Sequence, residues 1–182
     1  MASVPSHSSL FSLVLILFFI HFAQCEALTQ ELIDKICHGT QDYNLCIKIF
    51  KDNVKSPTTD LVGLTHLTID LALKNAIDTC AYTQRILDEA TTPEVRKVLG
   101  ECVKDYQLVV EGFQQASTAF AGKKYKDMVA KESATPAAIS ACERGMPPAF
   151  PVNPYFFLIE RDKQLKVLIS MSVVTGKLLC SC

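Results

Sequence analysis

The cysteines constrain the fold of this chain more than any other feature of its sequence. Eight are present, and cleavage of a leader near Cys25 would leave seven in the remaining chain. Cys37 and Cys46 bracket a short loop, whereas Cys102 and Cys142 lie on the apolar stripes of two different predicted helices. Core positions of adjacent helices can approach to the roughly 5.5 Å Cα separation that a disulfide needs. We therefore expect a disulfide-stapled helical scaffold with bridges Cys37–Cys46 and Cys102–Cys142.

The first 25 residues have the pattern of a secretory leader. The apolar run 10–23 (LFSLVLILFFIHFA) has the length of a signal-peptide core and is short for a bilayer span. A signal anchor is the alternative interpretation. We expect a signal peptide over 1–25 and one helical domain over 26–182, secreted to the extracellular space, where disulfides persist. No segment after the leader is apolar enough to cross a membrane, so we expect the mature form to be free of membranes.

Charge and motifs argue against several classes of function. The chain has 18 basic and 19 acidic residues, so it lacks the basic surplus that nucleic acids or anionic lipids attract. The histidines after the leader are His38 and His66, and no nucleophile–base set, phosphate-binding loop or dinucleotide motif accompanies them. We interpret His66 as a partly buried structural side chain. We expect no catalytic residues, no metal, no cofactor, no nucleic-acid partner and a monomer when the protein is free.

Hydrophobic periodicity predicts helices throughout the domain, and no alternating strand pattern of useful length is present. The fold class we expect is all-α, an up-and-down four-helix bundle with an N-terminal helical hairpin. The predicted elements are a hairpin over 29–51, helices over 58–90, 92–122 and 124–142, the last kinked at Pro136, an extended connection over 145–154, and a helix over 160–179. Thr58 or Thr59 is the expected cap of the 58–90 helix, and Thr91-Thr92-Pro93-Glu94 is the expected start of the next one. The predicted core stripe of the 58–90 helix is Val62, His66, Ile69, Leu73, Ala76, Cys80, Thr83 and Leu87. That of the 92–122 helix is Val95, Leu99, Cys102, Tyr106, Val109, Phe113, Ala116 and Phe120.

The state of the last three cysteines stays open at this point. Cys80 could be tied to the C-terminal pair Cys180 and Cys182, which would leave one thiol free. Alternatively, Cys180-Ser181-Cys182 is a frayed tail or an additional disulfide. Metal binding by this pair is disfavoured, because no second pair of ligands stands at a usual spacing.

Four segments together resemble the plant invertase/pectin methylesterase inhibitor family. They are LIDKICHGTQDYNLC over 32–46, DLVGLTHLTIDLA over 60–72, LGECVKDYQ over 99–107 and SACERGM over 140–146. The resemblance covers essentially all of the chain after the leader, and it is strongest toward the pollen-type invertase inhibitors. It implies a non-catalytic inhibitor that forms a one-to-one complex with an acid (cell-wall or vacuolar) invertase or with a pectin methylesterase, and that occludes the substrate cleft. It also implies an apoplastic location, with the vacuole as a further possibility.

Departures from the family pattern bear on the target. Inhibitors of pectin methylesterase typically carry Thr-Cys-x-Asp at the second bridge cysteine and an acid two residues after the first. Here Ala141 precedes Cys142, Arg144 follows it, and Lys104 replaces the acid. Reversed charge at an interface costs affinity. The resemblance therefore makes invertase the first target and pectin methylesterase the alternative.

Invertase inhibitors of the family can carry a Pro-Lys-Phe segment at the position of Lys123-Lys124-Tyr125 here. A lysine could meet the carboxylates of a glycosidase cleft, and an aromatic ring could anchor in a pocket. Alternatively, Lys124 is merely solvated and Tyr125 begins a core stripe. We also expect inhibition to vary between about pH 4 and 7, where carboxylates and histidines change charge. A different function class is a non-inhibitory bundle that carries an apolar ligand or serves as an allergen-like scaffold.

Overall fold

The computed structural model describes residues 14–17, 29–56, 58–146 and 152–182, and these residues form helices and short connections without any strand. Of the predicted leader only 14–17 is described, and it is helical and exposed. The helices are α1 (residues 29–38), α2 (Tyr43–Asn53), α3 (Leu61–Glu89), α4 (Pro93–Ala121), α5 (Tyr125–Ala134), α6 (Pro136–Gly145) and α7 (Val152–Cys180). Within the described part of the chain, none of these helices is long and apolar enough to cross a bilayer.

The long helices form a closed four-membered bundle. Helix α3 packs against both α4 and α7, α4 packs against α5 and α6, and α5 closes the ring on α7. Helices α5 and α6 are one bundle element broken at Pro136, which lacks the N–H that a continuous helix needs. The predicted all-α four-helix bundle with an N-terminal hairpin and a break at Pro136 is confirmed.

The helix starts follow local capping rules, with one correction. Thr92 caps α4, and Pro93 occupies the first turn, as the sequence predicts. The cap of α3, however, is Asp60, whose carboxylate accepts a hydrogen bond from the Gly63 N–H at 2.8 Å. The prediction of a cap at Thr58 or Thr59 was wrong. The Thr59 hydroxyl instead donates to the Ser56 carbonyl in the preceding turn.

Helix α7 begins at Val152, eight residues before the predicted start. The extended connection predicted over 145–154 therefore ends earlier, and its segment 147–151 lies outside the described residues. Pro154 falls in the first turn of α7, where a missing backbone donor costs nothing. Pro154 therefore does not stop the helix, and the prediction of an extended connection up to residue 154 was wrong at its end.

Both predicted bridges are present. Cys37–Cys46 joins α1 to α2 and Cys102–Cys142 joins α4 to α6, with Cα separations of 5.5 and 4.6 Å. The third bridge links Cys180 to Cys182. It matches the additional disulfide that was left open.

Cys80 is a free thiol, and a tie from α3 to the C-terminal pair is wrong. Helices α3 and α7 run antiparallel, because Thr68 meets Thr175 while Tyr82 meets Arg161. Counted from the Thr68–Thr175 contact at 1.5 Å per residue, Cys80 and Cys180 are about 25 Å apart along the bundle. The antiparallel register therefore prevents the bond.

The buried face of α4 agrees with its predicted stripe, with Val95 and Phe120 partly buried at the ends. The predicted stripe of α3 was partly wrong. Val62 and His66 are exposed, whereas Ile69, Ala76 and Thr83 are buried as predicted. The buried face also contains three threonines that the prediction missed, Thr65, Thr68 and Thr79. Their polarity hid them from a hydrophobic count. In a helix a threonine hydroxyl can donate a hydrogen bond to the carbonyl one turn earlier, as Thr83 does to the Thr79 carbonyl at 2.8 Å.

Candidate functional site

The loop between α4 and α5 presents the first group of predicted site residues. Helix α4 ends with backbone bonds from Lys123 N–H to the Phe120 carbonyl at 2.9 Å and from Lys124 N–H to the Ala119 carbonyl at 2.8 Å. These two bonds form a Schellman motif, which turns the chain sharply away from the helix. Lys123 occupies its left-handed position with φ 56°, where glycine is the usual residue. The loop therefore holds a lysine in a conformation that local backbone energetics disfavour.

The side chains of this loop are arranged as an aromatic ring beside two cations. Lys123 and Lys124 are exposed, and Tyr125 is half-buried at the start of α5. The Tyr125 ring lies 6.1 Å from the Phe120 ring at a tilt of 50°. Tyr125 therefore packs on Phe120 with one part of its ring and exposes another part to solvent.

Helix α3 also reaches this end of the bundle. The His66 imidazole stacks nearly parallel on the Phe120 ring, with centroids 5.5 Å apart and an angle of 14°. Its Nε2 lies 3.6 Å from an Asp70 carboxylate oxygen, and its side chain is mostly exposed. The prediction of a partly buried structural His66 was therefore wrong about burial. The sequence pattern gave no signal that His66, Phe120 and Tyr125 form one aromatic row.

The remaining predicted site residues form a separate patch around the Cys102–Cys142 bridge. Lys104 is exposed and contacts Glu101 at 3.1 Å. Arg144 is exposed, and Ala141 is half-buried. From Lys104 to the end of α4 is about 25 Å at 1.5 Å per residue. The six candidate residues thus belong to two distant patches rather than to one site.

Arg144 interacts electrostatically with the neighbouring Asp105 in this second patch. Burial raises the pKa of the Asp105 carboxyl, and Glu101 adds to that rise while Arg144 opposes it. The positive charge of Arg144 is thus partly compensated by Asp105 of the same chain. A target enzyme would meet a patch of mixed charge here.

Two carboxylic acids lie inside the bundle. Asp162 accepts a hydrogen bond from the Tyr106 hydroxyl at 2.5 Å, and Glu132 accepts one from the Ser172 hydroxyl at 2.6 Å. Each has a second oxygen without a hydrogen-bond partner among the described residues. Burial raises the pKa of each carboxyl to about 7, against the lowering effect of its hydroxyl donor. Burial, followed by the nearby Asp162 carboxyl, also raises the pKa of Tyr106.

The exposed loop and the buried acids differ in their access to solvent. The loop patch offers cations and an aromatic ring, and the buried acids are sealed from substrate. Among the described residues, no group of three His, Cys, Asp or Glu side chains is placed to hold a metal ion. Exposed cations beside an aromatic ring are chemically suited to an anionic surface.

Comparison with known proteins gives a consistent family. The sequence profile described as "Plant invertase/pectin methylesterase inhibitor" matches residues 31–173. A "Pectinesterase inhibitor" of Actinidia deliciosa is 28% identical over 94% of this chain and 94% of its own length. A "Putative invertase inhibitor" of Platanus acerifolia is 31% identical over 57% of this chain and 58% of its own length. A crystal structure of a mutant pectin methylesterase inhibitor from Arabidopsis has the same fold, with a TM-score of 0.72 at 21% identity over 80% of this chain and 95% of that one.

Proposed function

Because this chain belongs to the plant invertase/pectin methylesterase inhibitor family, whose members inhibit enzymes and are not enzymes themselves, we propose that it inhibits an acid invertase. The inhibitor forms a one-to-one complex in which the Lys123-Lys124-Tyr125 loop enters and blocks the substrate cleft. It acts after secretion, in the cell wall or the vacuole. A fructosidase inhibitor of Arabidopsis thaliana that is 29% identical over 47% of this chain carries both compartments in its name.

The observation that carries the proposal is the left-handed Lys123. A non-glycine residue in this conformation costs about 1 kcal/mol, and such strain is typically kept where it serves a function. The turn directs consecutive exposed lysines away from the end of α4. A glycosidase cleft contains a pair of carboxylic acids on either side of the scissile bond. Two lysines beside an aromatic anchor are complementary in charge to such a cleft.

Pectin methylesterase is the second candidate target, and a specific observation favours it. The Actinidia relative, named a pectinesterase inhibitor, matches this chain over 94% of its length, whereas the invertase-type relatives match about half. The contact would then centre on the Cys102–Cys142 patch. The mixed charge there, from Lys104 and Arg144 beside Glu101 and Asp105, is the reason we place this target second.

A paired inhibition titration tests the proposal. Oxidised residues 26–182 are added in increasing molar ratio to a plant acid invertase and, separately, to a plant pectin methylesterase at mildly acidic pH. We expect invertase activity to fall to a plateau near a one-to-one ratio, with methylesterase activity unchanged. Loss of methylesterase activity alone would overturn the proposal in favour of the second target. Full activity in both arms, with a helical spectrum, would favour a non-inhibitory scaffold or ligand carrier.

A further inference from the structure

The three loop residues are too few to form a stable complex alone. A specific interface usually covers roughly 800 Å² on each partner and involves 20 or more residues. The Lys123-Lys124-Tyr125 loop must therefore be one part of a larger contact surface. Two neighbouring surfaces adjoin the loop, one on α3 and the other between α4 and α5, and they differ in chemistry.

The surface between α4 and α5 is a groove lined by charged and amide side chains. Its lining includes Glu111, Asp127 and Lys131 together with the amides of Gln114 and Gln115. Centres of protein interfaces are depleted in aspartate, glutamate and lysine. Burying this groove would require several charges to lose water without a visible partner. The groove therefore fits the solvated edge of a contact rather than its centre.

The surface on α3 has the opposite character. The aromatic row from Tyr125 through Phe120 to His66 leads directly onto the second turn of α3. Val62 lies one turn before His66 on the same helical face, and 43% of it is exposed. Aromatic residues are enriched at interface centres, and an exposed aliphatic side chain adds apolar area beside them.

We infer that the contact surface for the target enzyme extends from the loop across Phe120 onto α3, with Val62 and His66 as contact residues. This inference rests on the proposed function, because the occupant is the rim of the invertase cleft that the loop enters. His66 also acts as a positioning residue. Its stack supports one face of Phe120, and Phe120 in turn supports Tyr125. This support helps to hold the loop, in which Lys123 has a left-handed backbone conformation.

The first test places a charge on the α3 surface without disturbing the core. Val62→Glu puts a carboxylate at an exposed position, and Ile77→Glu is the matched control. Ile77 is 46% exposed on the same helix, about 22 Å further along at 1.5 Å per residue. We expect Val62→Glu to weaken invertase inhibition at least about tenfold, because an unpaired carboxylate would be buried in the contact. Ile77→Glu should inhibit like the wild type.

The second test separates the stack from the fold. His66→Ala removes the ring that supports Phe120, whereas His66→Phe keeps a ring of similar size and removes the imidazole nitrogens. We expect His66→Ala to weaken inhibition several-fold and His66→Phe to restore most of it. Circular dichroism and melting temperature, measured on each variant, should match the wild type because the side chain is mostly exposed.

The outcomes distinguish this inference from the proposed function. If the wild type inhibits invertase while Val62→Glu and His66→Ala inhibit equally well, the α3 surface is not part of the contact and the inference fails alone. If Ile77→Glu loses as much inhibition as Val62→Glu, the effect is not local and the inference also fails. If the wild type inhibits no invertase, the proposed function fails and the inference falls with it.

Discussion

The buried Glu132 makes the stability of the bundle depend on pH, and Glu132→Gln should remove part of that dependence. The Glu132 side chain is fully buried, its Oε1 accepts from the Ser172 hydroxyl, and its Oε2 has no partner among the described residues. Burial raises its pKa to about 7, although the Ser172 hydrogen bond lowers it. Glutamine keeps the shape and the Oε1 acceptor and cannot ionise. The substitution therefore isolates the ionisation of one buried acid.

The sign follows from which state holds the proton. An unfolded glutamate loses its proton near its ordinary pKa of 4.5, while folded Glu132 holds the proton until about pH 7. Its contribution to the free energy of unfolding is therefore fully present below about pH 4.5 and is lost progressively as the pH rises to about 7. A rise from the ordinary 4.5 to about 7 corresponds to about 3 kcal/mol at roughly 1.4 kcal/mol per unit. That is a large part of the roughly 5–15 kcal/mol that stabilises a typical domain.

Urea unfolding at a series of pH values, followed by far-ultraviolet circular dichroism, measures the effect. We expect Glu132→Gln to be within about 1 kcal/mol of the wild type near pH 4 and about 3 kcal/mol more stable at slightly alkaline pH. At a slope of about 2 kcal/mol per M, this difference moves the urea midpoint by about 1.5 M. The matched control is Glu111→Gln on exposed α4 surface, which should follow the wild-type curve. Parallel curves for Glu132→Gln and the wild type would refute a raised Glu132 pKa.

Three further predictions follow from the fold. Lys123→Gly should raise the free energy of unfolding by up to about 1 kcal/mol, because glycine tolerates the left-handed turn. The same variant should inhibit invertase more weakly than the wild type. A free energy of unfolding equal to or below that of the wild type would contradict the strain at this position. Gly176→Ala should lower the free energy of unfolding by about 1–3 kcal/mol and lower the melting temperature, because the new Cβ would lie 2.7 Å from the stiff Val129 side chain. An unchanged melting temperature would contradict this packing. Thiol titration of denatured, oxidised residues 26–182 should find one free thiol, that of Cys80, and finding three would contradict the Cys180–Cys182 bridge.

The sequence predicted the elements whose signals are local. The α4 stripe, the Thr92-Pro93 start and the break at Pro136 each depend on residues within a few positions of one another. The buried face of α3 was predicted only in part, because Thr65, Thr68 and Thr79 also lie on it. The hydroxyls of Thr65 and Thr68 donate to carbonyls of the preceding turn, and these bonds exist only once the helix has formed. Pro154 likewise reads as a helix stop until its place in the first turn is known.

The candidate site was predictable residue by residue but not as an arrangement. The exposed lysines of the α4–α5 loop follow from the position of Gly122 at the end of a strong amphipathic pattern. The stack of His66 on Phe120 joins residues that are distant in the sequence, and it depends on the register of α3 against α4. The buried pair of Tyr106 and Asp162 depends in the same way on the packing of α4 against α7.

The central claim is that the α4–α5 end of the bundle contacts an acid invertase. The most direct measurement compares inhibition constants of Lys124→Glu and Arg144→Glu against an acid invertase and a pectin methylesterase. Both side chains are exposed, so both variants should fold. We expect Lys124→Glu to weaken invertase inhibition at least about tenfold and Arg144→Glu to stay within about twofold of the wild type. The opposite result would contradict the claim that this end of the bundle contacts an invertase. In that result Arg144→Glu changes the inhibition of the methylesterase, and Lys124→Glu inhibits both enzymes like the wild type.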